Sequence, residues 1–202
     1  MKIEIWIEFA STYSHLTVWR APKLLEAEGV DYAWRPFLLG VIFKQKGWNS
    51  SPFVLDPVKG AHMWRDVERR AERIGAPFQR PSLFPANGLH AARIMTAAED
   101  ESWCAAFARE VFTAQFGRGE DISDQGVLAE AIARCGAEPT HWLGESRSEA
   151  VKMRLRARTE AAQARGVFGA PSFTVGEELF WGDDRLEDAI AWAKKPSKGS
   201  ML

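Results

Sequence analysis

Cysteine is scarce in this chain. Cys104 and Cys135 are the only two in 202 residues, far apart and without CxxC or CxxH spacing. That argues against a disulfide framework or a structural zinc site, and both thiols are expected to pack as small apolar groups. The four histidines, His15, His62, His90 and His141, are scattered without ligand spacing, so no metal motif stands out. One-sided charge is missing too. The formal net charge is −1, which gives no electrostatic reason to capture nucleic acid or an anionic membrane. No apolar run approaches the ~20 residues of a spanning helix. The first apolar run, MKIEIWIEF, carries Lys2, Glu4 and Glu8, charges that a secretory signal does not tolerate. These absences lead to the expectation of a soluble, cytoplasmic protein with neither nucleic acid nor membrane as partner.

Apolar bulk is plentiful. Hydrophobic residues make up 46% of the chain and nine are tryptophan, enough for a core without staples and for an aromatic ligand site. The length fits one domain, or one domain with a sizeable insertion. Residues 2 to 9 alternate, with Ile3, Ile5, Ile7 and Phe9 on one side and Lys2, Glu4, Trp6 and Glu8 on the other, the period of a strand. After a turn at Ser11, Leu16, Trp19, Ala21 and Leu24-Leu25 recur at helical spacing up to Gly29, with Pro22 predicting a kink or an early break. A second strand is expected over 30–39, confined to an edge or cut short by Pro36. Residues 40–56 read as a loop.

A long helix then presents Met63-Trp64, Val67, Ala71 and Ile74 on one face. Further helical patterns follow at about 88–99, 101–116, 123–135 and 146–165, with Ser123 and Ser146 as candidate N-caps. The charge-dense SRSEAVKMRLRARTEAAQARG reads as a solvated helix face. The end reads as strands at 172–175 and 178–181, then a helix from Asp183-Asp184, with acidic residues where the macrodipole favours them. The fold class is therefore α/β, a βαβ unit, an all-helical block, then ββα. One domain is formed by 1–45 and 165–195, a helical insertion by 55–164, and a disordered tail is expected over 194–202.

The turn EFASTYSH, residues 8–15, places Ser11 between strand and helix. Its first reading is a helix cap, whose oxygen accepts an orphaned N–H. Serine-hydrolase chemistry has little support, because the turn is not G-x-S-x-G and no histidine pairs with Ser11 by spacing. A helix N-terminus is also an anion site, where a thiolate is stabilised and a hydroxyl can add a charge-assisted hydrogen bond. The chain supplies no thiol there, so a ligand would have to bring one.

Ala170-Pro171, just before the strand SFTV, completes a pattern that resembles the thioredoxin superfamily, with Ser11-Thr12-Tyr13-Ser14 in the place of CxxC. Five ordered segments sharpen it: RPFLLGVIFKQKGWNSSPF (35–53), KGAHMWRDVERRA (59–71), FPANGLHAAR (84–93), GVFGAPSF (166–173) and FWGDDRL (180–186). Together they resemble the 2-hydroxychromene-2-carboxylate isomerase family, related to kappa-class glutathione transferases, along nearly the whole chain.

That resemblance implies glutathione as cofactor and Ser11 as the catalytic group on its sulfur. It implies that Ala170, before a cis-Pro171, pairs with the cysteinyl backbone as an added strand does. Val167 and Trp181 fall in the same glutathione-facing segments, and Asp183 and Asp184 match the stretch that grips the γ-glutamyl end. Lys44 and Asn49 match positions near the substrate or the glycine carboxylate, and Asn87 a polar group on the substrate side. Without the family, Lys44 reads as a loop charge, and Asn49 and Asn87 as turn formers. Trp48, Trp64 and Phe168 are candidates for an aromatic lining.

The pattern departs at Thr12, where proline is common, at His15, where tyrosine is frequent, and at Ala61-His62, usually Arg-Tyr. The substrate half thus differs from the family more than the glutathione half does. The implied activity is cis–trans isomerisation of 2-hydroxychromene-2-carboxylate, or a similar compound, to trans-o-hydroxybenzylidenepyruvate, through transient addition of a glutathione thiolate held by Ser11. A small unsaturated carbonyl compound is then the expected substrate, and a homodimer the expected assembly. The alternatives are a kappa-like glutathione transferase and a non-catalytic glutathione-binding protein.

Overall fold

A computed structural model describes residues 1–195 of the chain. The tail expected over 194–202 lies almost wholly outside the described residues. Strand β1 (Ile3–Ile7) leads into helix α1 (Thr12–Ala27) and returns as β2 (Tyr32–Pro36). The helices α2 (Leu39–Gln45), α3 (Pro52–Leu55), α4 (Pro57–Ile74), α5 (Leu89–Ala97), α6 (Cys104–Gly117), α7 (Gln125–Arg134), α8 (Pro139–Glu145) and α9 (Glu149–Ala164) follow. Then β3 (Ser172–Val175) and β4 (Glu178–Trp181) pass through a 3-10 turn at Asp183–Arg185 into α10 (Leu186–Ala193).

The four strands lie in the order β2-β1-β3-β4. β1 and β2 are parallel, with Ile5 opposite Trp34, while β3 runs antiparallel to both β1 and β4. The α/β class and the βαβ…ββα order expected from the sequence are those observed. Pro36 closes the edge strand β2, where its missing N–H costs no ladder bond on the open side.

Alternation decides which side chain meets which layer. Ile3, Ile5 and Ile7 face α1 and α10, in one cluster with Val18, Ala21, Leu25, Phe173, Leu186 and Ile190. Trp6 points the other way, yet is buried with Phe37, Leu39, Ile42 and Ala162, because α2 and α9 cover that face. Trp6 shares its side with Glu4, as the alternation predicts. Its indole donates a 2.9 Å hydrogen bond to Thr174 Oγ1.

Several local expectations need correction. Residues 40–56 are not a loop but hold α2 and α3, the latter started by the Ser51 cap and Pro52. Helix α8 was missed, although Glu138-Pro139 is a cap followed by a first-turn proline. Asp124 and Ser148, not Ser123 and Ser146, cap α7 and α9. Helix α1 runs unbroken past Pro22.

His15, the departure from the tyrosine frequent in the family pattern, sits in the core. It is wholly buried between α1 and α6, its ring 5.5 Å from that of Phe116, and its Nε2 donates to Pro77 O at 2.9 Å. Nδ1 has no partner. Burial lowers the imidazole to about 4 from 6.5, with the Pro77 bond opposing. The folded imidazole therefore binds fewer protons than the unfolded one between those values, and its own contribution to stability rises with pH across that window, opposite in sign to that of Glu8, whose carboxyl burial raises to about 7. Falling from pH 6.5 to 4 should cost about 3 kcal/mol through this group. His15→Gln keeps a donor for Pro77 but cannot take the proton. In urea titrations at pH 4.5 and 7 the stability difference between wild type and variant should shift in favour of the wild type as pH rises; a difference independent of pH would contradict the role of His15.

Candidate active site

Strand β1 ends at Ile7, and the backbone turns so that Ser11 N–H donates to Glu8 O at 3.0 Å. Ser11 then takes an extended conformation and caps α1: its Oγ accepts the Ser14 N–H at 3.1 Å. The same oxygen donates its proton to Ala170 O at 2.8 Å. One hydroxyl thus joins the helix N-terminus to the turn before β3, where Ala170-Pro171 is a cis peptide. The cap uses Ser14 N–H and leaves Thr12 and Tyr13 N–H among the donors that a first turn cannot satisfy internally.

Around this centre the sequence-picked residues divide. Pro171 is buried, and its carbonyl accepts Gly182 N–H at 3.0 Å. Trp181 is exposed, its ring 4.8 Å from that of Phe168 and pressed on Gly169, where an added Cβ would lie 2.2 Å from the indole nitrogen. Only glycine fits there. Val167 turns away: its side chain packs with Trp6 and Phe37, and its N–H goes to Ala162 O at 2.9 Å. A side-chain contact from Val167 to a ligand in this cleft is therefore excluded.

Asp183 also differs from expectation. It is 2% exposed and its carboxylate accepts from Thr17 Oγ1 at 2.8 Å, from Arg20 at 3.2 Å and from Arg70. Its carbonyl accepts from Arg20 at 2.9 Å. That carboxylate is saturated by the protein and is not presented to a ligand's ammonium. Asp184 is exposed and pairs with Arg185 at 2.9 Å on the surface.

Lys44 and Asn49 are exposed at and beyond the end of α2. Lys46, which sequence reasoning passed over, stands 5.7 Å from the rings of both Trp48 and Phe168. Nothing in KQKGW distinguishes the two lysines until α2 fixes where each points. Asn87 is a turn former, its Oδ1 accepting Leu89 N–H at 3.1 Å. The next residue, Gly88, packs on the Glu8-Ala10 turn, 2.9 Å from Phe9 Cβ by an added Cβ. Glu8 was missed as well. Its carboxylate accepts Ala10 N–H at 3.0 Å, and burial raises it to about 7 despite that bond.

A groove of about 570 Å³ lies between α3, α4 and the segment 80–84, lined by Phe53, Ala61, Trp64, Arg80 and Phe84. Arg80 stacks 4.9 Å from the Trp64 ring. Phe53 connects this groove to the first turn of α1, 6.2 Å from the ring of Tyr13. Of the departing pair 61–62, Ala61 lines the groove, while His62 is exposed outside it.

The two aspartates should separate cleanly. Asp183→Ala removes the buried acceptor shared by Thr17, Arg20 and Arg70 and should cost about 3 kcal/mol of stability. Asp184→Ala should change it by less than about 0.5 kcal/mol. Denaturant unfolding of both variants checks this; equal effects would contradict the buried role of Asp183.

Residues 2–190 match the family described as DSBA-like thioredoxin domain. A 2-hydroxychromene-2-carboxylate isomerase of Sphingobium xenophagum is 30% identical over 187 residues, 92% of this chain and 94% of the relative. Glutathione S-transferase kappa 1 of Homo sapiens is 30% identical over 200 residues, 92% of this chain and 87% of the relative. A solved 2-hydroxychromene-2-carboxylate isomerase superposes with a TM-score of 0.83 at 26% identity, covering 95% of both chains. Among the described residues no helix is long and apolar enough to cross a membrane. The chain belongs to the DSBA-like thioredoxin-domain family, in the group that holds the 2-hydroxychromene-2-carboxylate isomerases and the kappa-class glutathione transferases.

Proposed function

We propose that this protein is a glutathione-dependent cis–trans isomerase of small unsaturated carbonyl compounds, 2-hydroxychromene-2-carboxylate or a close analogue. The observation that carries the reading is the double contact of Ser11, which caps α1 and meets the carbonyl of Ala170. The isomerase and kappa-class relatives support it. The cytoplasmic setting and the homodimer implied by the resemblance belong to the same reading.

The residues present fit the tripeptide. Ser11 Oγ and the first-turn N–H groups suit a thiolate, the Ala170 backbone suits a cysteinyl peptide group, and the exposed Asp184 suits an ammonium. Lys46, between Trp48 and Phe168, offers a cation near the same turn for a carboxylate, and Lys44 and Asn49 are its alternatives on the same segment. When bound, glutathione supplies a sulfur nucleophile that is regenerated, so a double bond changes geometry with no net consumption.

The chain's own part is to hold charge and shape. Ser11 must turn its O–H from Ala170 O toward the anion, while Ser14 N–H keeps the oxygen in place. A charge-assisted hydrogen bond contributes about 1.5–3 kcal/mol and a helix N-terminus about 0.3–1 kcal/mol. Together they account for a thiol lowered by about two units, which needs ~2.7 kcal/mol. The aromatic groove beside Phe53 takes the flat substrate, with Arg80 as partner for its carboxylate. The kappa relative favours a second reading, a transferase in which glutathione leaves joined to the substrate.

With Ser11→Ala, turnover should fall by about a hundredfold, while the lost cap costs only about 1 kcal/mol of stability. During wild-type turnover the free glutathione concentration should stay constant. Stoichiometric loss of glutathione would favour the transferase, and full activity in the variant would overturn the role of Ser11.

A further inference from the structure

Helix α9 was read from sequence as a solvated charged face, and only part of it is. Arg156 points to solvent, Arg158 is largely buried, and Arg154 and the C-cap residue Arg165, though exposed, line the cleft on the sheet side. There they meet Arg35 of β2 across a cleft of about 370 Å³ whose floor is Trp6. Because side chains alternate along β1, Glu4 and Trp6 face this cleft, while Ile5 and Ile7 face α1 on the other side. The cleft shares no residue with the Ser11 site.

The charges are arranged as two units. Glu4 is held by Arg35 at 2.9 Å and Arg165 at 3.3 Å, with Thr174 Oγ1 donating at 3.3 Å. Glu99 is held by Arg154 and Arg158. Each unit is two guanidiniums around one carboxylate, so each carries one positive charge in excess. Arg158 is only 11% exposed. Burial holds its guanidinium below the usual range; Glu99 opposes this, and the nearby positive charges of Arg35 and Arg154 add to it. Arg154 and Arg165 stand exposed at the rim, at 43% and 46%, so the desolvation falls on Arg158, where positive charge is unfavourable unless an anion balances it. Guanidinium forks match carboxylates in geometry as well as sign.

We infer that this cleft between α9 and the outer face of the sheet is a second binding site, for a small dicarboxylate with one carboxylate at each Arg–Glu–Arg unit. Two separate poles, one at each carboxylate, suit a doubly ended anion better than a single compact one.

Isothermal titration of the full chain at low ionic strength, with glutarate, acetate and inorganic phosphate, tests this. One glutarate should bind per chain, at least tenfold more tightly than acetate or phosphate. The doubly substituted R35Q/R165Q should bind it at least tenfold more weakly, while Ser11→Ala binds it as the wild type does. Glu99→Gln, which raises the cleft's charge by one, should tighten binding; it serves as the reading if the arginine variant does not fold. No saturable binding by the wild type would overturn the proposal and leave the six charged groups as a staple between α9 and the sheet. Equal binding of acetate or phosphate, loss of binding in Ser11→Ala, indifference to R35Q/R165Q, or unchanged affinity in Glu99→Gln would each overturn it too.

Discussion

The hydroxyl of Ser11 is a hinge between two parts of the chain 159 residues apart in sequence. It accepts from the first turn of α1 and donates to the carbonyl of Ala170, so the helix N-terminus and the cis-proline turn are fixed to each other by one oxygen. A hydroxyl has one proton and two lone pairs. Serving Ser14 N–H spends a lone pair; the proton remains free to choose between Ala170 O and an arriving anion. The resting structure therefore holds the site closed on itself through the bond that, in the proposed function, a thiolate takes over. Serine suits this position for that reason, and a cysteine here would bring the sulfur that glutathione is proposed to supply.

What keeps that turn in place lies one layer deeper. Asp183 gathers Thr17 and Arg20 of α1 and Arg70 of α4 on one buried carboxylate. Next to it, Tyr13 O–H donates to Asp66 at 3.0 Å, and Arg70 lies 3.8 Å from the same aspartate. Buried ion pairs give little net stability, because desolvation offsets the attraction, but removing one partner is costly. Their effect here is on position: the first turns of α1, the aromatic groove on α4 and the turn after β4 cannot move independently. His15 holds the other side of α1 against α6 with a neutral ring.

Much of this was legible in the sequence, for identifiable reasons. Period-two alternation gave β1 its two faces, and the strand–Ser–helix turn marked Ser11 as the cap it is. Other features were hidden because they are set by tertiary contacts. Nothing local says that Trp6 is buried, since that depends on α9 arriving 150 residues later. The same packing withdraws Arg158 from the solvated face of α9 and sets Arg154 and Arg165 at the rim of a cleft. Asp183 and Asp184 look alike as acidic helix starters, and only the arrival of Thr17, Arg20 and Arg70 separates a buried hub from a surface charge. Val167 was placed in the cleft by its neighbourhood in sequence, but the chain turns its side chain into the core at that point.

The central claim is that the α1 N-terminus and Ser11 hold glutathione as a thiolate. Ultraviolet titration of the thiolate absorbance, with glutathione bound to the wild type and to Ser11→Ala, tests it most directly. The account predicts a bound thiol that ionises about two units below free glutathione and returns most of the way in the variant. A bound thiol that titrates like the free one, or that is indifferent to the loss of Ser11, would contradict it.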